Sequence, residues 1–571
     1  MKVTDFIAKF LKVQGVDAVF ELSGGMITHI IDSLYAEKGI RIITMHHEQG
    51  TSFAADGYAR EKNIPGIALA TSGPGATNLI TGIGGCYFDS VPAIFITGQV
   101  NVHEQRGEKE IRQLGFQETD IGTMVKPITK AVFKITNELE IENAFIEAFK
   151  IAVSGRPGPV LIDIPMNIQR MQITPNTIEK VKVDLDINPT SKNISEMFNA
   201  IQTAKKPLIL VGRGVRASGT LNQFLSFVEV TKIPVISSLL AVDTIPFNHP
   251  FRVGFIGSYG NRWANISFGE SDLIIVLGSR LDIRQTGADT SFFEKGKTIF
   301  HIDCERGEIN NRIKGCIPIL LDLNLFFEKA LLEASFRTFQ IKQNWLERIE
   351  NLRMLWPDNK ELDINGINPN VFMHELSKNS TKAKSFVADV GNHQMWAAQS
   401  LELNENQTFH TSGGMGAMGF ALPAGIGICI ANNGPVIVIS GDGGIQLNIQ
   451  ELQTIFRNQL PIKIIVINNQ SLGMIRQFQD SYFDSRYHST LWGYSAPDFC
   501  KISLAYGIES KSISSANEIA EGLKWLWKEE NKPSLLNVMV DTKANAYPKI
   551  AFGKPITDME PFEKPLDMEG T

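Results

Sequence analysis

Cysteine is scarce in this sequence. Five are scattered over 571 residues (Cys86, Cys304, Cys316, Cys429 and Cys500) and none forms a CxxC pair. That pattern disfavours a disulfide framework or a zinc site and favours a reducing cytoplasm. Neither sign of charge is in excess: 55 Lys+Arg against 61 Asp+Glu leave a net −6. This gives no electrostatic footprint for nucleic acid and no basic run for anionic lipid. No window approaches 18 consecutive apolar residues, so no membrane span is expected. The opening Met1-Lys2-Val3-Thr4-Asp5 passes directly into an amphipathic pattern and lacks a signal-peptide core, so a cytoplasmic protein is expected. What the chain does have is length for three or four units at roughly 150 residues each. Apolar residues make up 43% and charged residues 20%, which argues against disorder, and many of the 48 glycines stand beside apolar runs.

Residues 4–14 read as a helix with Phe6, Phe10 and Val13 on one face. Residues 18–22, 41–45, 66–70, 92–97 and 160–164 read as strands. Strands alternating with helices predict parallel βαβ units, whose functional loops lie at the strands' carboxyl ends. From about 172 to 191, Pro175, Pro189 and mixed charge predict a linker. A second block carries strands at 208–211, 273–277 and 298–302, closes near Leu332, and is followed by a charged, helix-like connection over 337–366. The third starts near Asn368, with strands at 385–390, 435–439, 462–467 and 534–540. From Ala551 the tail shows no core pattern. The expected architecture is α/β, three doubly wound parallel-sheet domains over 1–170, 190–335 and 366–550, with a tail at 551–571. The first and third blocks share size and strand–helix rhythm, which suggests related folds.

Gly441-Asp442-Gly443-Gly444 directly follows the apolar strand at 436–439, and the strand at 462–467 ends in Asn468-Asn469. GDG alone is a common turn. Here a carboxylate and a carboxamide follow two strands of one sheet, 27 positions apart (442 to 469). Hard oxygen ligands so placed suit Mg²⁺, which takes a tight octahedral shell shared with phosphate and water. The glycines let backbone amides approach a diphosphate, where the helix beginning near Ile445 adds its positive end.

This pairing resembles the thiamine diphosphate signature. The resemblance implies that Asp442 and Asn469 are side-chain Mg²⁺ ligands, that Ser471 adds a backbone carbonyl, and that Gly441, Gly443 and Gly444 line the diphosphate. Such enzymes need a second element, because the cofactor's thiazolium C2 is a weak carbon acid. Its proton is removed by the cofactor's own aminopyrimidine, switched to the imino tautomer by a buried carboxyl on the ring nitrogen. Met45-His46-His47-Glu48-Gln49-Gly50 follows a strand and precedes a helix, placing Glu48 at the mouth of the first sheet. A Glu in a first turn often merely complements the helix dipole, but the string HxEQG…ADGYAR resembles the family's. His46 and His47, adjacent on a strand, point to opposite faces and read as structural. Thr71–Asn78, with Pro74 and Asn78, resembles the turn beside the pyrimidine. Ser412–Gly419 resembles the loop holding the two rings in a V, with the Gly416 carbonyl accepting from the exocyclic amine and Met418 as the wedge. Gly391-Asn392-His393-Gln394 resembles a diphosphate-side segment in which the family more often has Gln at Asn392.

Over about residues 1–550 the motifs and their order resemble the acetolactate synthase group: Thr97-Gly98-Gln99-Val100, Gly115-Phe116-Gln117-Glu118, Ser154–Pro159 and Gly473-Met474-Ile475-Arg476-Gln477. The group decarboxylates pyruvate and transfers the hydroxyethyl, acetaldehyde-level unit to a second carbonyl. Gln117 would sit over the reaction centre with Phe116 walling the pocket, Gly25 and Met26 nearby, and Met474 on the cofactor. An apolar pocket favours loss of carbon dioxide as charge is neutralised. In the middle block, Gly212-Arg213-Gly214-Val215-Arg216-Ala217 after a strand matches GxGxxA, with Glu229 at ribose-contact distance in sequence, the pattern of an NAD site. The acetolactate synthase group instead holds structural FAD there. Its resemblance implies Arg156, Gly212, Gly214, Gly257, Gly260, Arg280, Arg284, Asp303 and Asp322 around the flavin.

The departures concern the acceptor. Phe478 replaces the family's Trp, Met166 its pocket Lys, Ile283 the acidic residue before Arg284, and Met26 a usual Ala, whereas Arg284 is retained. The donor half looks intact and the acceptor half rebuilt. The acceptor is therefore a second 2-keto acid or, as in related carboligases, a nucleotide-linked keto-sugar. A pyruvate decarboxylase or oxidase, an NAD dehydrogenase and a non-catalytic homologue are the alternatives. Glu48 and Asp442 lie in different blocks, so the resemblance implies a homodimer or homotetramer with sites between subunits; a regulatory subunit is left open.

Overall fold

In the computed structural model, which describes residues 1–182 and 192–566, helix α1 (Val3–Val13) buries Phe6, Ile7, Phe10 and Leu11. The i, i+4 spacing brings Phe6 and Phe10 onto the edge of Phe145. Val13, expected on that face, falls at the stripe's margin and is 41% exposed.

The N-terminal sheet contains β1 (Ala18–Leu22), β2 (Arg41–Thr44), β3 (Gly66–Ala70), β4 (Ala93–Gln99), β5 (Ala131–Lys134) and β6 (Pro159–Pro165), in the order β2-β1-β3-β4-β6-β5. The central sheet contains β7 (Pro207–Val211), β8 (Val235–Ser237), β9 (Arg252–Phe255), β10 (Leu273–Leu277), β11 (Thr298–Asp303) and β12 (Ile317–Leu320), in the order β12-β11-β10-β7-β8-β9. The C-terminal sheet contains β13 (Ser385–Ala388), β14 (Thr408–Thr411), β15 (Val436–Gly441), β16 (Ile462–Asn468), β17 (Glu509–Ile513) and β18 (Ser534–Met539), in the order β14-β13-β15-β16-β18-β17. All three are parallel throughout. The first and third orders are the same pattern shifted along the chain, as their shared rhythm suggests. Read from its far edge, the central sheet has the strand order of dinucleotide-binding folds, with its switch point between β7 and β10. In the C-terminal sheet the order reverses between β13 and β15, and a ligand crevice belongs at that place.

Helix α2 (Glu48–Lys62) of the first domain lies against α4 (Ala421–Asn432) of the third, with α3 (Ile80–Asp89) beside α2. The crossing is close because both helices carry glycine at it. A Cβ on Gly57 would stand 2.3 Å from the Ala424 carbonyl oxygen, and one on Gly427 1.9 Å from that of Ala54. One apolar cluster, including Phe53, Ala54, Phe420 and Ala424, therefore runs through both domains.

The predicted linker is described as far as residue 182, where Gln14 holds it through the Glu179 carbonyl and the Val181 amide; 183–191 lie outside the described residues, as do 567–571 of the tail. The tail is more structured than its composition predicts. β19 (Lys549–Ile550) pairs antiparallel with β20 (Met559–Glu560), and Ile556 and Met559 are buried. Two isolated apolar residues in a Pro- and charge-rich stretch carry no periodicity, so the pattern cannot announce them. Among the described residues no helix is long and apolar enough to cross a membrane.

Candidate active site

The ends of β13, β15 and β16 converge. Asp442, Asn469, Ser471, Asn392 and His393 are all buried. Asp442 Oδ2, Asn392 Oδ1 and His393 Nε2 have no hydrogen-bond partner. Buried polar atoms are rarely left so, and each orphan costs free energy until a donor or cation meets it. Burial pushes the Asp442 carboxyl up to about 6, against the pull of the Tyr494 hydroxyl and the Gly443 and Ser471 amides. Burial likewise drives His393 down to about 3, which keeps its ring neutral. A Cβ on Gly441 would lie 2.8 Å from the His393 ring, and one on Gly473 2.6 Å from Asn469 Nδ2 and 3.0 Å from Asn392 Nδ2. A Cβ on Gly443 would meet Leu472, with Met418 Cε and the Tyr494 hydroxyl each 3.4 Å away, and one on Gly444 would meet Asp389. Gly391 turns before His393 at φ +153°. This cluster of hard oxygens, one carboxylate among them, beside glycine-lined backbone fits a divalent cation with a diphosphate.

Glu48 opens α2 and is 7% exposed. Asn78 Nδ2 donates to its Oε2 at 2.9 Å. A Cβ on Gly75 would be 3.2 Å from the other oxygen, so Pro74–Asn78 and Glu48 form one unit. His47 caps α2 by accepting the Gln49 amide on Nδ1. The His46 amide donates to Glu451 of the third domain. Gly25 and Met26 lie over the switch point of the first sheet, where Met26 N meets Thr71 Oγ1 at 3.3 Å. Gln117 packs on Gly73 and adopts φ +66°, a left-handed conformation that costs a non-glycine residue energy. Glu118 secures it by accepting from the Arg106 and Leu114 amides. Phe116, expected to wall a pocket, is 80% exposed and walls none in the single chain. Among the described residues the contacts of the Glu48 carboxylate stay within its own domain. The two ends are joined instead by Gln49 with Asn448 and His46 with Glu451.

At the switch point of the central sheet opens a cleft of about 970 Å³. Arg156, Gly212, Gly214, Gly257, Arg280, Arg284, Asp303 and Asp322 line it. Gly260 does not; it closes the turn from Gly257, whose carbonyl accepts its amide. Glu229 is also outside, paired at the surface with His249. Its side chain is 61% exposed and is not among the residues that line the cleft, where the NAD-type pattern expects a ribose contact. Arg156 bonds Ser90, Glu305 and Glu308. Burial raises Asp303 to about 6. Two glycines approaching a third at the β7–β10 crevice, with guanidinium groups on its walls, fit a nucleotide-bearing cofactor. The cleft continues past Ser412–Gly416 to Met474, Phe478, Tyr482 and Phe552. Phe478 packs against Tyr482 with ring centroids 4.6 Å apart and the planes tilted by 51°, Ile283 is 61% exposed, and Met166 is half-buried after β6.

Among the buried acids that escaped the sequence reading, two hold the Ser412–Ala421 loop. Asp389 follows β13 and accepts from the Val390, Gly419 and Ala421 amides; burial pushes it up to about 6. Asp89, ending α3, accepts from the Gly413 and Gly414 amides. For Asp389 a signal existed, an acid at a strand's carboxyl end two positions before Gly391. For Asp89, inside an apolar run, there was none.

Three family models match: Thiamine pyrophosphate enzyme, N-terminal TPP binding domain, over residues 1–124; central domain, over 194–330; and C-terminal TPP binding domain, over 389–538. The probable acetolactate synthase large subunit of Methanocaldococcus jannaschii is 37% identical, the alignment covering 98% of this chain and 95% of the relative. The acetolactate synthase large subunit of Lactococcus lactis is 34% identical, over 96% and 94%. The acetolactate synthase isozyme 2 large subunit of Escherichia coli K12 is 34% identical, over 98% and 99%.

Proposed function

As this chain belongs to the thiamine diphosphate enzymes of the acetolactate synthase large-subunit type, we propose that it is a carboligase that decarboxylates pyruvate and passes the acetaldehyde-level unit to a second 2-keto acid. The observation that carries the site assignment is the unpartnered oxygen of buried Asp442, at the switch point and beside Asn392 and Asn469. Asp442, Asn469 and the Ser471 carbonyl hold Mg²⁺. Gly441, Gly443, Gly444, Gly391, Asn392 and His393 take the diphosphate. Glu48, oriented by Asn78, would hold the pyrimidine nitrogen and supply its exchangeable proton, while the Gly416 carbonyl would accept from the exocyclic amine and Pro74, Met418 and Met474 would line the rings. Bound thiamine diphosphate supplies the acidic carbon and the electron sink through which a 2-keto acid loses carbon dioxide. Gln117 orients the substrate, and Phe116, Gly25 and Met26 keep water away from it.

FAD occupies the central cleft in this reading, with Arg156, Arg280 and Arg284 toward its charged groups and Gly212 and Gly214 at the turn. Glu48 and Asp442 belong to one site built by two chains, in a cytoplasmic homodimer or homotetramer; the exposure of Phe116 supports this. The relatives' designation as large subunits supports a regulatory partner as well. A nucleotide-linked keto-sugar is the second acceptor reading, favoured by the continuous cleft that ends on the tilted Phe478–Tyr482 pair rather than on a Trp wall. Incubation with pyruvate alone, then with pyruvate plus candidate ketones, followed by mass spectrometry of products, tests both. Acetolactate from pyruvate alone is expected. Carbon dioxide release that becomes fast only with a sugar nucleotide would replace the first acceptor with the second.

A further inference from the structure

The loop from Thr411 to Ala421 is held at both shoulders and released at its apex. On the entering side, Arg60 Nη1 donates to the Thr411 carbonyl and Gln394 Nε2 to that of Ser412. On the leaving side, Asp389 takes the Gly419 and Ala421 amides, and Asn448 donates to the Gly419 carbonyl. Between them, among the described residues, the main chain of Met415 and Gly416 makes no hydrogen bond. Gly416 has φ +63°, and nothing stands within 4 Å of where its Cβ would be.

What brings the apex to that position comes from another domain. The Asp89 carboxylate receives the Gly413 amide at 3.0 Å and the Gly414 amide at 2.6 Å. Its Oδ2 also takes Arg60 Nη2 at 2.8 Å. Arg60 in turn is fixed by Asp56, and all three side chains are 1% exposed. The fit is close on the loop's side too: a Cβ on Gly414 would stand 2.7 Å from Phe88 Cβ and 3.1 Å from Asp89 Oδ1. The same corner reaches the central cleft, since Arg213 donates to the Asp89 carbonyl and Arg156 to Ser90 Oγ.

We propose that Asp89 is a positioning residue that sets the Gly413–Gly414 turn, and through it the Gly416 carbonyl, against the aminopyrimidine; this rests on the thiamine reading above. Both carboxylate oxygens are needed, because the turn presents two adjacent amides, each taken by a different oxygen. Asparagine in the same place would face one of those amides or Arg60 with its own N–H groups. A buried ion network gives the carboxylate one orientation, and small displacements of a reacting partner are costly in rate.

The test compares Asp89→Asn with Asp56→Asn, which disturbs the same ion network but touches no loop amide, and with Glu48→Gln. In the cofactor-free enzyme, deuterium exchange of the peptide spanning 411–419 is expected to accelerate in Asp89→Asn and to stay near wild type in Asp56→Asn. With Mg²⁺ and thiamine diphosphate added, exchange of the cofactor's C2 proton is expected to slow about 10- to 100-fold in Asp89→Asn, while Asp56→Asn keeps most of it. If Asp89→Asn does not fold, Gly414→Ala displaces the same turn with the ion network intact and is expected to show both effects. Unchanged loop protection and C2 exchange, or equal losses in Asp56→Asn and Asp89→Asn, would overturn the positioning role. If Glu48→Gln also leaves C2 exchange at the wild-type rate, the thiamine reading itself fails. If Glu48→Gln abolishes exchange while Asp89→Asn leaves it intact, only the present inference fails.

Discussion

A carboxyl group taken out of water escapes the cost in one of two ways, by holding a proton or by finding a partner. Glu48 has a partner in Asn78, whereas Asp442 keeps one oxygen bare and is pushed up to about 6. That difference separates their mutants. Glu48→Gln preserves the shape and the Asn78 contact but gives up the exchangeable proton. Its turnover is expected to fall about 10²- to 10⁴-fold while Mg²⁺-dependent cofactor binding, read by fluorescence titration, persists. Full activity in that variant would defeat the role assigned to Glu48. Asp442→Ala removes the proposed cation ligand and is expected to lose Mg²⁺-dependent cofactor binding, at limited cost to the unliganded fold, because one of the deleted oxygens was buried without a partner. Both acids were legible because they stand in strings with a family likeness. Asp389 offered only its place at a strand's end, two positions before Gly391, and Asp89 offered nothing, since a lone acid in an apolar run reveals its purpose only when the amides it holds are seen.

At the scale of elements, the α2–α4 crossing joins the first and third domains with backbone nearly on backbone. Gly427→Ala would place a methyl 1.9 Å from the Ala54 carbonyl oxygen. As neither helix can yield locally, a loss of about 1–3 kcal/mol is expected from overpacking, read as a lower urea midpoint; an unchanged midpoint would mean that the crossing is looser than described. The same seam contains Glu451, fully buried and bonded to the His46 amide and Thr454 Oγ1. Burial raises this carboxyl from 4.5 to about 6. The folded chain therefore holds the proton more tightly than the unfolded chain. The stabilisation is full below about pH 4.5 and is lost as pH rises through about 6. Glu451→Gln has no such loss, so its stability relative to wild type is expected to improve by up to about 2 kcal/mol between pH 4.5 and 7.5. A constant difference would refute the titration. Which elements the sequence disclosed follows the same physics of burial. Strands inside the sheets, such as β3, β7 and β10, are buried on both faces and read as unbroken apolar runs. Within the three large sheets the strands that went unread, β5, β9, β12, β14 and β17, are all edges, joined by the three-residue β8; the two-residue β19 and β20 also went unread. An edge such as β17, Glu509–Ile513, is half solvated and carries Ser and Lys where an interior strand has Ile.

At the scale of the molecule, one chain places Glu48, the acid proposed to handle the proton, and Asp442, the proposed cation ligand, on separate sheets. Among the described residues the Glu48 carboxylate bonds within its own domain, and Phe116 beside Gln117 is turned to solvent. If two copies face each other about a twofold axis, each first domain meets the partner's third domain, and two equivalent sites arise per dimer. This makes the assembly testable without a structure of the complex. Glu48→Gln and Asp442→Ala homodimers are each expected to be inactive. In a heterodimer of the two, one site receives both lesions and the other receives neither. Random reassociation of equal amounts makes half the dimers mixed, each with one sound site of two, so about a quarter of wild-type activity is expected to return. The return should follow subunit exchange in time and be absent when the same two lesions are carried on one chain and mixed with a second, doubly altered copy. If separately purified variants exchange subunits, as shown by a tagged copy pulling down an untagged one, and no activity returns, then Glu48 and Asp442 do not serve one shared site. The division of the site between two chains would then have to be abandoned.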